Sequence, residues 1–248
     1  GNPIGQTTAD GSGNWSFTPG TPLANGTVIN AVAQDPAGNT SGPASVTVDA
    51  IAPAAPIVNP SNGVVISGTA EAGTKVILTD GSGNPIGQTT ADGSGNWAFT
   101  PSPALGNGTV INAVAQDPAG NTSGPGSTTV DSVAPGQPTI DPSNGTVITG
   151  SAEAGAKVIL TDGNGNPIGE TTADGSGNWA FTPGTPLANG TVINAVAQDA
   201  AGNTSTPQVS TTVDAVAPGQ PTIEPSNGTE ISGTAEAGTK VILTDGSG

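Results

Sequence analysis

The chain has 248 residues, 19 acidic against 3 basic, and it lacks Cys, His, Met and Tyr, leaving a formal net charge of −16. Without Cys there is no disulfide framework, zinc ribbon or thiol nucleophile, and without His the usual general base and the commonest transition-metal ligand are gone. The charge repels phosphate, which excludes nucleic acid and anionic membrane surfaces as partners, and no stretch has the apolar length of a membrane span.

With 39 Gly and 23 Pro the composition resembles that of a disordered chain, but it is periodic. Trp15, Trp97 and Trp179 each close the string GSGNW at a spacing of 82 residues. Lys75, Lys157 and Lys240 follow the same register, except for one extra residue in TSTPQVSTTVD (204–214), a length change that only a loop absorbs. In chain order this predicts four blocks. They are the C-terminal part of a domain (1–49), two complete domains (50–131 and 132–214), and the N-terminal part of another (215–248).

Within the first complete copy the apolar runs are short and end in turn signals, the pattern of a small β-sandwich. The expected strands are A near 56–58, B at 64–70, C at 75–80, C′ at 85–91, E at 96–101, F at 109–117 and G at 127–131. Seven strands per repeat make one immunoglobulin-like sandwich. The fold class is therefore all-β, a linear array of tandem immunoglobulin-like domains. Copy-to-copy changes set the phase of alternation. Val65 and Val147 are replaced by Glu230, and Ala98 corresponds to Ser16, so those positions face water. Ile66, Gly68, Ala70, Val76, Leu78, Trp97, Phe99, Ile111, Ala113 and Ala115 then face inward. With so much Ala, the core is expected to be thin and to need support from neighbouring domains or an ion.

The string SGTAEAGTKVILTDGSGNPIGQTTADGSGNWAFT (67–100), followed by GTVINAVAQDPAGNTS (108–123), resembles the bacterial Ig-like domains of giant Gram-negative adhesins of the biofilm-associated-protein type. That resemblance implies an extracellular protein held at the bacterial cell surface, exported by type I secretion. It also implies a calcium-stiffened row of domains that holds an adhesive region away from the cell. The repeats lack the inter-sheet disulfide and corner Tyr of antibody-type domains, so nothing about antigen recognition carries over.

If strand A runs away from the preceding domain, alternating strand directions bring the B–C, C′–E and F–G turns to the pole nearest that domain. The preceding strand G ends there too. Carboxylates of two domains therefore converge at each joint: Asp49 with Glu71 and Asp117, then Asp131 with Glu153 and Asp199. Asp35 and the pair Asp214 and Glu236 are sites to be completed by neighbouring chains. Oxygen-only donors of this charge suit Ca²⁺, which accepts six to eight oxygens in irregular geometry. The same acids also have an ordinary use, since Asp and Asn cap turns by hydrogen-bonding their own backbone. Asp80 and Asp92, in DGSGN strings, are first of all hairpin residues.

No carboxylate pair sits in a cleft-sized insertion, and no phosphate loop is present, so catalysis is not expected. The expected partners are neighbouring repeats of the same array, head to tail. The alternative role is that the repeats themselves bind a ligand or self-associate with identical arrays on other cells: small, polar loops that repeat without variation disfavour ligand recognition, while repetition allows weak multivalent self-association.

Overall fold

Runs of alternating apolar residues too short for helices leave this chain one way to bury them, in paired strands. All regular structure in the computed structural model, which describes residues 2–246, is antiparallel β. Gly1 and residues 247–248, assigned above to the first and last blocks, lie outside the described residues. The chain divides into two units, Gly1–Val133 and Ala134–Gly248.

The first unit begins with a two-stranded ribbon of β1 (Val28–Ala31) and β2 (Ala44–Thr47). A sandwich of seven strands follows: β3 (Ile57–Val58), β4 (Ile66–Thr69), β5 (Lys75–Asp80), β6 (Pro85–Thr90), β7 (Asn96–Phe99), β8 (Val110–Gln116) and β9 (Gly126–Thr129). One sheet has the order β3-β4-β7 and the other β6-β5-β8-β9. These strands correspond to A through G of the sequence reading.

Alternation works as expected. Ile66, Val76, Leu78, Ile111, Ala113 and Ala115 are fully buried, and Trp97 is only 3% exposed, while Val65 faces solvent. Ala91, Val130 and the partly buried Leu105 complete the cluster. Neighbouring β4 and β7 pair so that Gly68 lies opposite Trp97. A side chain at Gly68 would strike the Ile57 carbonyl and the indole ring, so only hydrogen fits. The open side between β6 and β7 is closed by the Phe99 ring lying on Gly87.

The second unit repeats the design with β10 (Ile148–Ser151), β11 (Lys157–Asp162), β12 (Pro167–Thr172), β13 (Asn178–Phe181), β14 (Val192–Gln198) and β15 (Val209–Thr212). Its sheets are β10-β13 and β12-β11-β14-β15. Residues 139–141 run along β10 through Thr139 N to Ser151 O (2.7 Å) and Asp141 N to Thr149 O (2.9 Å). Trp179 occupies the place of Trp97 and is equally buried.

Candidate functional site

The turn DPAGN after β8 is built by Asp117. Its Oδ1 accepts the backbone N–H of Asn121 at 2.9 Å and its Oδ2 accepts the Asn121 side-chain amide at 2.7 Å. Gly120 supplies the positive φ of 95° that closes the loop, a conformation natural to glycine. The same geometry recurs at Asp35 with Asn39, at Asp199 with Asn203, and in the DGSGN and DGNGN hairpins at Asp80 with Asn84 and Asp162 with Asn166. The sequence reading separated the QDPAGN acids from the DGSGN acids. In the structure Asp80 and Asp162 share one turn, D-x-x-G-N, with the QDPAGN acids, because carboxylate and amide at that spacing satisfy each other, whereas Asp92 accepts the backbone N–H groups of Ser94 and Asn96.

Asn121 also reaches beyond its own domain. The same Nδ2 donates to the backbone carbonyl of Asp49 at 3.1 Å, where the preceding copy ends. The exit from that copy is held as well: Asp49 Oδ1 accepts Ile51 N–H at 3.1 Å, and Asn25 Oδ1 accepts Ala50 N–H at 2.9 Å. Both exit bonds recur in the other copies. Asn107 accepts Ser132 N–H and Asn189 accepts Ala215 N–H, while Asp131 and Asp214 accept Val133 and Val216 N–H. Each linker therefore leaves its domain in a set direction. Sequence reasoning missed Asn121 and the Asn25, Asn107 and Asn189 set. The last three precede Gly and read simply as turn residues.

The other predicted acids are placed as follows. Glu71 is exposed in the turn after β4, where its carbonyl accepts the Thr74 N–H and hydroxyl. Gly73 of that turn, Lys75, Thr90 and Asp117 line one shallow depression, so the B–C and F–G turns share a pole as derived. Asp131 closes its own domain through its N–H to the Ser61 carbonyl, and Asp214 does the same to Ser143. Asp131 belongs to the first unit and Glu153 and Asp199 to the second. The Glu153 and Glu236 carbonyls cap their turns through Ala156 and Thr239 N–H.

In kind, oxygens of Asp49, Glu71 and Asp117 fit a hard cation. Among the described residues, however, no three acidic side chains are gathered as a metal centre. The Lys75 side chain on the same depression adds a competing positive charge.

The Asn amides also tune the acids. Asp35, Asp80, Asp117 and Asp162 are held below the ordinary carboxylate value of 3.8, first of all by the side-chain bonds from Asn39, Asn84, Asn121 and Asn166. A depressed folded-state pKa contributes stability above the unfolded value and loses it as pH falls through the folded one. Thermal melting is therefore expected to be flat above about pH 5 and to drop below about pH 4. A melting temperature constant down to about pH 2 would contradict this.

The family model described as bacterial Ig domain matches residues 1–50, 52–132 and 134–214. The chain belongs to the bacterial Ig domain family. No curated protein matches these bacterial Ig domains. Among solved structures they are similar to the "Biofilm associated protein - BSP domain", at 27% identity over 66% of this chain and 30% of that one, with a TM-score of 0.30. They are also similar to a tetra-tandem repeat in the extending region of a large adhesion protein, at 26% identity over 77% of this chain and 57% of that one, with a TM-score of 0.29. The bacterial Ig array thus spans 30% and 57% of those two chains. Fibronectin(III)-like modules of Clostridium thermocellum CbhA match at 18% identity over 63% of this chain and 88% of that one, with a TM-score of 0.36.

Proposed function

We propose that this chain is part of the repeat region of a bacterial cell-surface adhesin, acting as a structural spacer rather than an enzyme, with joints between domains that calcium tightens. The observation that carries the reading is the Asn121 amide, shared between Asp117 of its own turn and the Asp49 carbonyl of the preceding copy. A spacer must transmit orientation from one domain to the next, and a hydrogen bond across the joint does so. Tandem bacterial Ig domains and short Pro-containing linkers such as DAIAPAAP (49–56) support the same role. The names of the biofilm-associated and large adhesion proteins agree with it.

Calcium belongs to this proposal on donor chemistry and a shared pole, not on a preformed cluster. Asp49, Glu71 and Asp117 would hold the ion at the first joint. An ion that binds only the closed joint stabilises it by mass action, and it offsets the repulsion of a chain carrying −16. At the millimolar calcium outside a cell such sites fill, since extracellular modules bind at about 10⁻⁴–10⁻³ M.

The test is calorimetry on the whole chain, paired with hydrogen exchange read on linker peptides. Asp49→Asn keeps the acceptor for Ile51 and removes one charge, so calcium affinity at that joint is expected to fall about tenfold, or about 1.4 kcal/mol. Asn121→Ala is expected to speed exchange at residues 50–57 with or without calcium. Equal affinity in wild type and Asp49→Asn would remove calcium from the reading. Unchanged exchange in Asn121→Ala would remove the joint.

A further inference from the structure

Ser61 and Ser143 carry buried hydroxyls, the residues being 2% and 9% exposed, that neither the apolar core nor the joint uses. Each accepts the N–H of the glycine two residues on, Gly63 or Gly145, at 3.0 Å, and donates to the Val65 or Val147 carbonyl at 2.6 or 2.7 Å. Both glycines follow an asparagine. Asn-Gly is a chemically fragile step, since without a Cβ in the way the glycine nitrogen can turn onto the preceding side-chain carbonyl carbon. A safer residue cannot take the glycine's place here: φ is 86° at both positions, and a Cβ would strike the Leu105 or Leu187 carbonyl.

Asn-Gly also occurs at Asn25, Asn107, Asn164, Asn189 and Asn227, and the glycine N–H is engaged at each. Gly26, Gly108 and Gly190 donate at 2.8 Å to the Val48, Val130 and Val213 carbonyls, Gly165 at 3.0 Å to that of Asp162, and Gly228 at 3.0 Å to the Ser226 hydroxyl. Where the acceptor is a carbonyl, the backbone itself holds the nitrogen. At Asn62 and Asn144 a single side chain holds it, through a buried bond, while the Asn side chain is open to solvent. The Asn144 carbonyl is polarised as well. Its Oδ1 accepts the Thr146 N–H and hydroxyl at 3.1 and 2.6 Å, donors that stabilise charge on a tetrahedral oxygen.

We infer that Asn62 and Asn144 are latent deamidation sites, which the Ser61 and Ser143 hydroxyls keep closed. When the guarding bond opens, hydroxide takes the glycine N–H proton and the nitrogen attacks the Asn Cγ. The new N–Cγ bond closes a five-membered imide as the Cγ–Nδ2 bond breaks, and Nδ2 leaves as ammonia with a proton from water. Water then opens the imide at either carbonyl, giving aspartate or its β-linked isomer. Both products add a negative charge, and the isomer lengthens the backbone by one atom. The location gives this its effect. Asp131 N donates to Ser61 O and Leu105 N to Gly63 O, and Asp214 N to Ser143 O and Leu187 N to Gly145 O repeat the pair, all at 3.0 Å. A backbone lengthened between the two acceptors puts these bonds out of register where the last strand ends and the linker leaves. Asn144 also lines one shallow depression with Asp214, Ala215 and Val216, so its conversion sets a second carboxylate beside Asp214. Each opening of this pole can thus be recorded irreversibly, at the cost of the fixed linker exit.

The experiment is peptide mapping by mass spectrometry on the full chain, incubated in mildly alkaline buffer with and without urea, reading the mass gain of amide-to-acid exchange. In the folded wild type Asn62 and Asn144 are expected to remain amides over a period in which urea converts both. Ser143→Ala is expected to convert Asn144 about tenfold faster than wild type, the equilibrium effect of one lost hydrogen bond. Asn189, in the same domain but held by a backbone carbonyl, is expected to keep its wild-type rate and so reports that the domain stays folded. Ser61→Ala repeats the test at Asn62, with Asn107 as its reporter. Conversion of Asn62 and Asn144 in the folded wild type as fast as in urea overturns the inference, and so do serine variants with unchanged rates. An equal rise at Asn189 and Asn107 also overturns it, since the effect would then belong to loss of the whole domain.

Discussion

Trp97→Ala is expected to destabilise the domain at residues 52–132 strongly while leaving the second unit's domain unaffected. Trp97 is the only large aromatic in a cluster otherwise made of Ile66, Val76, Leu78, Ile111, Val130 and alanines, with Phe99 at its margin. Truncating a buried Trp costs about 3–5 kcal/mol. A domain of about 80 residues has about 4–12 kcal/mol in all. The loss is therefore a large share of the stability of a thin core. The Trp97 indole N–H is buried without a hydrogen-bond partner, as is that of Trp179. Trp97→Phe removes that unsatisfied donor along with some apolar surface, so it is expected to keep the fold at a cost of about 1–2 kcal/mol. Urea unfolding should then resolve two transitions in Trp97→Ala, one displaced to low denaturant. A single unshifted transition would show that the core does not depend on this ring.

Gly68→Ala is the second large effect, at about 1–3 kcal/mol or somewhat more. The added methyl meets the Ile57 carbonyl and the Trp97 ring, and neither can yield easily, because one is backbone in a paired strand and the other is packed in the core. Gly93→Ala is the control. Nothing lies within 4 Å of its added carbon, so the change is expected to be neutral or to stabilise slightly by restricting the unfolded chain. Urea midpoints for the pair distinguish the steric explanation from a generic dislike of alanine. Equal midpoints would sink it.

Much of this architecture is legible in the chain because it depends on local pattern. A strand exposes alternate residues whatever it pairs with, so Val65 against Ile66 and Ala98 against Trp97 set the inward face before any partner is known. The 82-residue period of Trp15, Trp97 and Trp179 likewise defines the tandem array. The acids were legible only in part. Their shared pole follows from strand direction, but the D-x-x-G-N turn occupies both oxygens of Asp117 with Asn121, a competition that the residue types alone do not decide. Composition, for its part, excludes thiol and imidazole chemistry with no structure at all. Tertiary packing alone decided the rest. Asn121 reaches the Asp49 carbonyl only because a turn and a strand end 72 residues apart are brought together. Gly68 is confined by Ile57 and Trp97, neighbours that no short-range pattern announces.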